Sequence, residues 1–184
     1  MINRLINDHI DVSKALINHE KLIHDISKQC LKALLANRKI ILCGNGGSAA
    51  DSIHIAAELV GRFNKDRRSL PALSIASNPS NLTAISNDYG FEYVFSRQIE
   101  GLGNEGDILI ALSTSGNSKN IIKAIHSAKN KKMITIGFTG KTGGEMTVSD
   151  CNYYLKIDSD NTARIQEMHL LVGHIICQYI DSKI

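Results

Sequence analysis

The sequence predicts an α/β protein, a three-layer α/β/α sandwich on a five-stranded parallel sheet that N-terminal helices precede. Five short apolar runs are mostly continuous rather than alternating, as in parallel strands buried on both faces. Helical patterns separate these runs, and strand–helix alternation is typical of a parallel sheet covered by helices on both faces. A further helical pattern opens the chain and another one closes it.

The predicted elements follow in chain order. Apolar residues recur at three- and four-residue spacing through residues 2–37, which predicts two amphipathic helices before the first strand. The predicted strands are 39–43, 72–76, 108–112, 133–138 and 153–157. The predicted helices that follow are 48–63, 79–87, 118–130 and 162–182. No internal linker interrupts the pattern, so we expect residues 1–184 to form a single domain.

Composition excludes several function classes. Hydrophobic residues make up 43% of the chain and the net charge is only +3, which is typical of a soluble globular protein. The densest basic run, 65–68, is too short to indicate nucleic-acid binding, and there is no tryptophan for base stacking. The N-terminal segment carries polar residues throughout and has no long apolar run, so we expect no signal peptide and no membrane span, and a cytoplasmic location.

The four cysteines are predicted to be buried free thiols. They are far apart in sequence and form no CxxC pair, and free thiols are typical of a reducing cytosol. They are Cys30, Cys43, Cys151 and Cys177.

A loop of short hydroxyl side chains follows the third predicted strand and opens a helix. It reads Ser113, Thr114, Ser115, Gly116, Asn117, Ser118. Free backbone N–H groups and the helix dipole at a helix start favour an anion, and the glycine allows a close backbone approach. The loop therefore predicts a site for a phosphate monoester, although a Ser/Thr-rich turn also serves as a simple helix cap.

A glycine-rich loop follows the first predicted strand at the same edge of the sheet, where ligands bind in open α/β sheets. It reads Gly44, Asn45, Gly46, Gly47, Ser48. No third glycine follows in dinucleotide register, the second strand ends without an acidic residue, and no Gly-Lys-Ser/Thr follows. We therefore expect a turn that approaches a small polar ligand rather than a nucleotide site.

Two helices carry residues with possible acid–base or metal chemistry. His54 and Glu58 are four residues apart and share one helical face, so they can hold a metal, flank a substrate or simply face solvent. Gln166 and His174 lie on the last helix, eight residues or about 12 Å apart along its axis. One small ion can bind both only if the helix bends or one residue comes from a neighbouring subunit, and His174 alone is also compatible with helix packing.

These motifs together resemble the phosphoheptose isomerases, single-domain members of the sugar-isomerase (SIS) fold, which is flavodoxin-like. The resemblance covers nearly the whole chain, in the right order. It rests on the two loops, on Asp51, on His54-x-x-x-Glu58, on Asn87-Asp88-Tyr89-Gly90 and on Arg164-Ile165-Gln166-Glu167 with His174. The Ser/Thr loop marks the fold, whereas the His54, Glu58, Gln166 and His174 set is specific to the isomerase.

The resemblance implies conversion of sedoheptulose 7-phosphate to D-glycero-D-manno-heptose 7-phosphate through an enediol. This reaction begins heptose supply for lipopolysaccharide or capsule. The resemblance also implies a cytoplasmic homotetramer with active sites at subunit interfaces, with residues 1–37 packed in the oligomer. No nucleic-acid or membrane partner is implied.

The resemblance assigns a role to each candidate residue. It implies that Glu58 and His174 are the catalytic acid–base pair, without deciding which acts on carbon. It implies one zinc ion per subunit, bound by His54, Glu58, Gln166 and His174. The implied substrate-binding residues are Asn45, Gly46, Gly47, Ser48, Glu58, Asn87, Asp88, Ser113, Thr114, Ser115, Ser118 and Gln166.

One position departs from the family pattern, and one alternative function is retained. Many members carry aspartate before the Arg-Ile-Gln-Glu run, whereas this chain has Ala163, so any role of that aspartate in placing substrate is absent or replaced.

The alternative is a non-catalytic SIS scaffold of the type that binds the replication initiator DnaA. In that relative the positions of Glu58 and His174 hold residues unable to do acid–base work. A sugar-phosphate sensor is disfavoured because no helix-turn-helix precedes the first strand.

Overall fold

The computed structural model describes residues 1–184 and contains seven α-helices and five strands. The helices are α1 (Ile2–Ala15), α2 (Glu20–Leu35), α3 (Gly47–Val60), α4 (Pro79–Tyr89), α5 (Ser96–Leu102), α6 (Lys119–Asn130) and α7 (Thr162–Asp181). The strands are β1 (Ile40–Gly44), β2 (Ala72–Ser74), β3 (Ile108–Ser113), β4 (Ile134–Thr139) and β5 (Tyr153–Lys156). Short 3₁₀ turns occupy Leu16–His19 and Phe91–Tyr93.

The five strands form one sheet in the order β2-β1-β3-β4-β5, and every pair is parallel. This confirms the predicted sheet. The strand order reverses direction between β1 and β3, which makes the loops after these two strands neighbours at the carboxyl edge. Both loops were predicted to bind ligand, and the topology brings them side by side.

Two hydrophobic cores cover the two faces of the sheet. Ile40 and Leu42 of β1 point into a core formed with α2, α3 and α7. Ile41 and Cys43 point into the other core, formed with α5 and α6 and flanked by α4. This alternation shows that β1 is buried on both faces, which is why its sequence is a continuous apolar run.

Three features differ from the sequence prediction. Helix α3 ends at Val60 rather than at residue 63, because the backbone leaves the helical conformation at Gly61. Helix α5 was not predicted, because at seven residues it shows too little of the helical period to be recognised. The edge strand β2 ends at Ser74, although Ile75 N still donates to Leu42 O over 3.0 Å. All four cysteines are free and buried, as predicted.

None of the helices combines the length and the apolar character that crossing a bilayer requires.

Candidate active site

The Ser/Thr loop leads from Ser113, the last residue of β3, to the start of α6. Its hydroxyls hold the loop from within: Gly116 N donates to Ser113 Oγ over 3.2 Å, and Asn117 N donates to Ser115 Oγ over 3.1 Å. The hydroxyls of Ser113 and Ser118 are 3.2 Å apart. No side chain caps α6, and although Ile121 N donates to Ser118 O over 3.0 Å, the N–H groups of Lys119 and Asn120 are left to a ligand.

A second loop, residues 140–146, clamps the Ser/Thr loop and was missed by the sequence analysis. Gly140 N donates to Thr114 O over 3.0 Å, and Met146 N donates to Gly116 O over 2.9 Å. The approach is so close that a Cβ on Gly116, whose φ is +68°, would overlap the backbone of Gly143. The signal was the Gly-Lys-Thr-Gly-Gly run that follows β4, a polar glycine loop at the same edge of the sheet.

A cavity of about 220 Å³ lies between these two loops and the start of α7. Thr114 and Ser115 line one side of it, and Lys141 and Thr142 line another. Lys141 is the basic residue of this cavity, its ammonium pairs with Asp158 over 3.2 Å, and Asp160 lines the cavity as well. The cavity thus combines hydroxyls, backbone N–H groups and one ammonium, donors that suit a phosphate.

The residues of the glycine-rich loop differ in their exposure to solvent. Asn45 is partly exposed, Gly46 and Gly47 are exposed, and Ser48 is buried with 3% of its surface accessible. The side chain of Gln166 on α7 packs directly against Gly47, where a Cβ would overlap its amide. The starts of α3 and α7 therefore lie side by side.

Helices α3 and α7 also meet two turns further along, where the acid–base and metal candidates converge. His54 Nε2 lies 2.9 Å from His174 Nε2 and 3.3 Å from Glu58 Oε1. One ligand atom from each of the three residues lies within 4.8 Å of the others. The side chains of His54 and Glu58 are 46% and 25% exposed, so the cluster is open to a small ligand.

Gly173 makes this convergence possible. A Cβ at Gly173 would lie 2.5 Å from Ile55 Cδ1 and 2.6 Å from Ile55 Cγ1, distances that real side chains do not reach. The missing side chain lets α7 approach α3 beside His54 and His174. The sequence predicts only that Gly173 lies in a helix, because a close approach between two helices leaves no pattern in the residues around the contact.

Gln166 does not join this cluster within the chain. It packs at the start of α3, and the eight residues between it and His174 span about 12 Å of helix. The structure therefore brings together three of the four predicted metal ligands. Asn87 and Asp88, at the end of α4, are exposed and hydrogen-bond to each other over 2.9 Å, but not to any other candidate residue.

The surroundings of the cluster fit a cation. Asp51, one turn before His54, has a buried carboxylate oxygen that accepts no hydrogen bond. Burial raises the pKa of Asp51, and the nearby His54 opposes this shift. Two imidazole nitrogens and one carboxylate are a ligand set typical of catalytic zinc sites. Cys177 is near Glu58, but burial and the Glu58 charge raise the pKa of its thiol to about 12, so it is a protonated neighbour.

The end of α3 that carries Glu58 is fixed by a buried arginine. Arg67 Nη2 donates to Glu58 O over 3.0 Å, and Arg67 Nε donates to Asp181 Oδ1 over 2.7 Å. Asp181 also accepts the N–H of Asn64 over 2.8 Å. Burial opposes ionisation of Asp181, but these hydrogen bonds and the Arg67 charge together lower its pKa. Within the basic run 65–68, Arg67 is therefore a structural residue.

Comparison with known proteins agrees with this architecture. The model of the SIS domain family matches residues 8–140. A phosphoheptose isomerase from Nitratiruptor sp. is 50% identical over 96% of this chain and 98% of its own length. Phosphoheptose isomerase 1 of Campylobacter jejuni is 48% identical over 95% of this chain and 91% of its own length.

Solved structures agree as well. Phosphoheptose isomerase GmhA from Neisseria gonorrhoeae superposes with a TM-score of 0.91 at 38% identity, covering 98% of this chain and 97% of that one. The Vibrio vulnificus NanR protein, solved in complex with ManNAc-6P, shares only the fold, at 19% identity and a TM-score of 0.69 over all of this chain and 63% of that one. The fold therefore defines an SIS-domain protein. Within that class, the chain belongs to the phosphoheptose isomerase family.

Proposed function

We infer that the chain is an aldose–ketose isomerase that converts sedoheptulose 7-phosphate to D-glycero-D-manno-heptose 7-phosphate. This reaction is the first step of heptose supply for lipopolysaccharide or capsule. The observation that carries the inference is the convergence of Glu58 and His174 in a partly exposed cluster, in a chain of the phosphoheptose isomerase family. A DnaA-binding scaffold needs neither residue, so their convergence disfavours that alternative.

The phosphate end of the substrate binds at the start of α6. We assign it to Ser113, Thr114, Ser115 and Ser118, whose hydroxyls surround the free N–H groups of the first turn. The helix dipole adds to the attraction for a dianion. The sugar chain contacts the polar groups that remain at the same edge of the sheet: Asn45, Gly46, Gly47, Ser48, Asn87, Asp88 and Gln166.

Glu58 and His174 carry out the chemistry. The ketose has its carbonyl at C2, so isomerisation moves one proton from C1 to C2 and another from the C1 hydroxyl to the C2 oxygen, with an enediol between. One of the two residues transfers the proton between the carbons and the other transfers the proton between the oxygens. A carboxylate and an imidazole suit this division because both exchange protons near neutral pH when placed beside a substrate.

The cluster fits one zinc ion per subunit. His54, Glu58 and His174 would supply three ligands, and Gln166 is proposed as the fourth, brought from a neighbouring subunit or by a bend in α7. A zinc ion in this position supplies a Lewis acid for the sugar carbonyl. A mixed set of imidazole, carboxylate and amide ligands is unusual for a purely structural zinc, which favours a role at the substrate.

The chain is proposed to act as a cytoplasmic homotetramer of single SIS domains, each spanning residues 1–184. Helix α1 supports this proposal, because none of its residues is buried in the chain. Arg164 Nη1 donates to Leu5 O over 2.8 Å and His9 contacts Glu167 over 2.8 Å, so polar contacts hold α1 on α7. Its apolar residues remain exposed and suit a second copy: Ile2, Leu5, Ile6 and Ile10.

The test is turnover of sedoheptulose 7-phosphate, followed by NMR, with inorganic zinc added or with a chelator present. We expect aldoheptose phosphate to form, and turnover to fall when the chelator removes zinc. Sedoheptulose without its phosphate is the matched control and should react poorly. No turnover by the zinc-loaded wild-type protein would refute the heptose assignment and return the scaffold as the better account.

A further inference from the structure

Two asparagine side chains join the glycine-rich loop to the Ser/Thr loop. Asn45 follows β1, and Asn120 lies in the first turn of α6. Asn45 Nδ2 donates to Asn120 Oδ1 over 2.9 Å, and Asn120 Nδ2 donates back to Asn45 Oδ1 over 2.9 Å. The two amides thus form a closed pair that connects the proposed sugar end and the proposed phosphate end of the site.

The two members of this pair differ in exposure. Asn120 is only 3% exposed and its amide faces Asn45, whereas Asn45 is partly exposed and has more of its surface open to a ligand. An amide has two N–H donors and two acceptor lone pairs. After pairing, Asn45 therefore keeps one N–H and one lone pair for a ligand. The pair also decides which side of the Asn45 amide is donor and which is acceptor.

We propose that Asn120 is a positioning residue that fixes the Asn45 amide for a hydroxyl of the bound sugar. This rests on the proposed function, in which Asn45 contacts the sugar chain. The terminal torsion of asparagine is broad and roughly two-fold, so an unpaired Asn45 amide rotates freely. The pair removes that freedom and sets the distance from the sugar contact to the phosphate cradle.

The first test separates the two ends of the substrate. Asn120→Leu keeps a similar volume but removes both hydrogen bonds. We expect kcat/KM for sedoheptulose 7-phosphate to fall about tenfold, the loss that one misplaced hydrogen bond produces. Calorimetry should show the dissociation constant of inorganic phosphate within twofold of wild type. A parallel loss of phosphate affinity would mean that Asn120 merely supports the loop, and would overturn the proposal.

The second test restores the pair chemically. In Asn120→Asp a protonated carboxyl can both donate to and accept from the Asn45 amide, whereas an ionised one cannot donate and repels Asn45 Oδ1. Burial raises the pKa of such a carboxyl. We expect kcat/KM, divided by the wild-type value at each pH, to approach one at low pH and to fall toward the Asn120→Leu level at high pH. A pH-independent ratio would contradict the proposal.

The third test asks whether Asn120 acts through Asn45. Asn45→Ala should lose activity by itself, and adding Asn120→Leu should cause no further loss, because the residue being positioned is already gone. Losses that multiply would overturn the proposal. Thermal unfolding of each variant checks folding.

Failure of the proposed function can be told apart from failure of the positioning role of Asn120. If the proposed function is wrong, the wild-type protein will not turn over sedoheptulose 7-phosphate. In that case the dissociation constants of sedoheptulose 7-phosphate and of inorganic phosphate are measured for wild type and for Asn120→Leu. We expect the substitution to weaken binding of the heptulose phosphate more than binding of inorganic phosphate. An equal effect on the two ligands would overturn the positioning role of Asn120.

Discussion

The two ends of the site are built in different ways. The proposed phosphate end is a loop of hydroxyls that is held by its own hydrogen bonds and by the neighbouring loop 140–146. The acid–base end is a contact between His54 and His174, which are 120 positions apart and meet only because α3 and α7 pack closely. In the proposed function, phosphate binding therefore depends on one local stretch of sequence, whereas acid–base chemistry depends on how two helices pack.

This difference predicts that the two ends fail separately. Changes at the helix contact should reduce turnover and leave phosphate binding intact. Changes in the Ser/Thr loop should weaken phosphate binding and leave the acid–base pair intact.

The largest effect is expected at His174. His174→Gln keeps a polar side chain but cannot exchange a proton, so we expect kcat to fall by about 10²–10⁴. The dissociation constant of inorganic phosphate, measured by calorimetry, should stay within twofold of wild type. His169→Gln on the same helix is the matched control, because His169 is fully buried and should leave kcat within a few fold at pH 7.5.

Gly173 should come next. The new Cβ of Gly173→Ala would lie 2.5 Å from Ile55 Cδ1, so either the buried Ile55 side chain or α7 itself must shift, and we expect the tight core around Ile55 to pass part of the shift to α7. A displacement of about 1 Å can cost about 10²-fold in rate, and we expect a kcat loss of roughly 10–100-fold. Adding Ile55→Ala makes room for the Cβ and should recover part of the rate. A double variant that is slower still than Gly173→Ala would contradict the packing account.

A smaller effect is expected in the Ser/Thr loop. Ser118→Ala removes one hydroxyl donor to a charged group, worth about 1.5 kcal/mol, so KM should rise about tenfold. We expect kcat to change by less than threefold. Steady-state kinetics with sedoheptulose 7-phosphate measure both, and Ser127→Ala, on the same helix away from the loop, is the control. A fall in kcat without a change in KM would contradict the assignment of Ser118 to the phosphate end of the site.

The smallest effect on turnover is expected at His169, whose contribution is to stability rather than to activity. Burial lowers the pKa of His169 to about 4 from its ordinary 6.5, so between these values the unfolded chain binds the extra proton. The neutral, buried His169 should therefore cost the free energy of unfolding nothing above pH 6.5, and the free energy of unfolding should decline as the pH falls toward 4. The contribution of His169 to this loss is about 3 kcal/mol. Denaturant unfolding at several pH values should show a shallower decline in His169→Gln, and an equal decline would refute the assignment.

The elements that could be predicted from the sequence are those whose residues form a recognisable pattern within one short stretch of chain. All five strands, the two N-terminal helices and the two polar loops after β1 and β3 were predicted from apolar runs, helical periodicity and polar residues at strand ends. The clamp loop 140–146 carries the same kind of signal after β4 and was overlooked. Its role is visible only through hydrogen bonds such as that from Gly140 N to Thr114 O.

The remaining features depend on contacts between distant residues. The position of Gln166 against Gly47, the close approach at Gly173 and the amide pair of Asn45 and Asn120 leave no periodic trace in the sequence. The resemblance to the isomerase family supplied His174 as a partner of Glu58, which spacing alone did not. The structure explains how these two meet within one chain.

The most direct test of the account is Glu58→Gln, assayed for two properties in one preparation. NMR measures turnover of sedoheptulose 7-phosphate, and calorimetry measures the affinity for inorganic phosphate. We expect a turnover loss of about 10²–10⁴-fold together with an unchanged phosphate affinity. Turnover near the wild-type rate would contradict the central claim that Glu58 transfers a proton, and a joint loss of turnover and phosphate affinity would contradict the separation of the two ends.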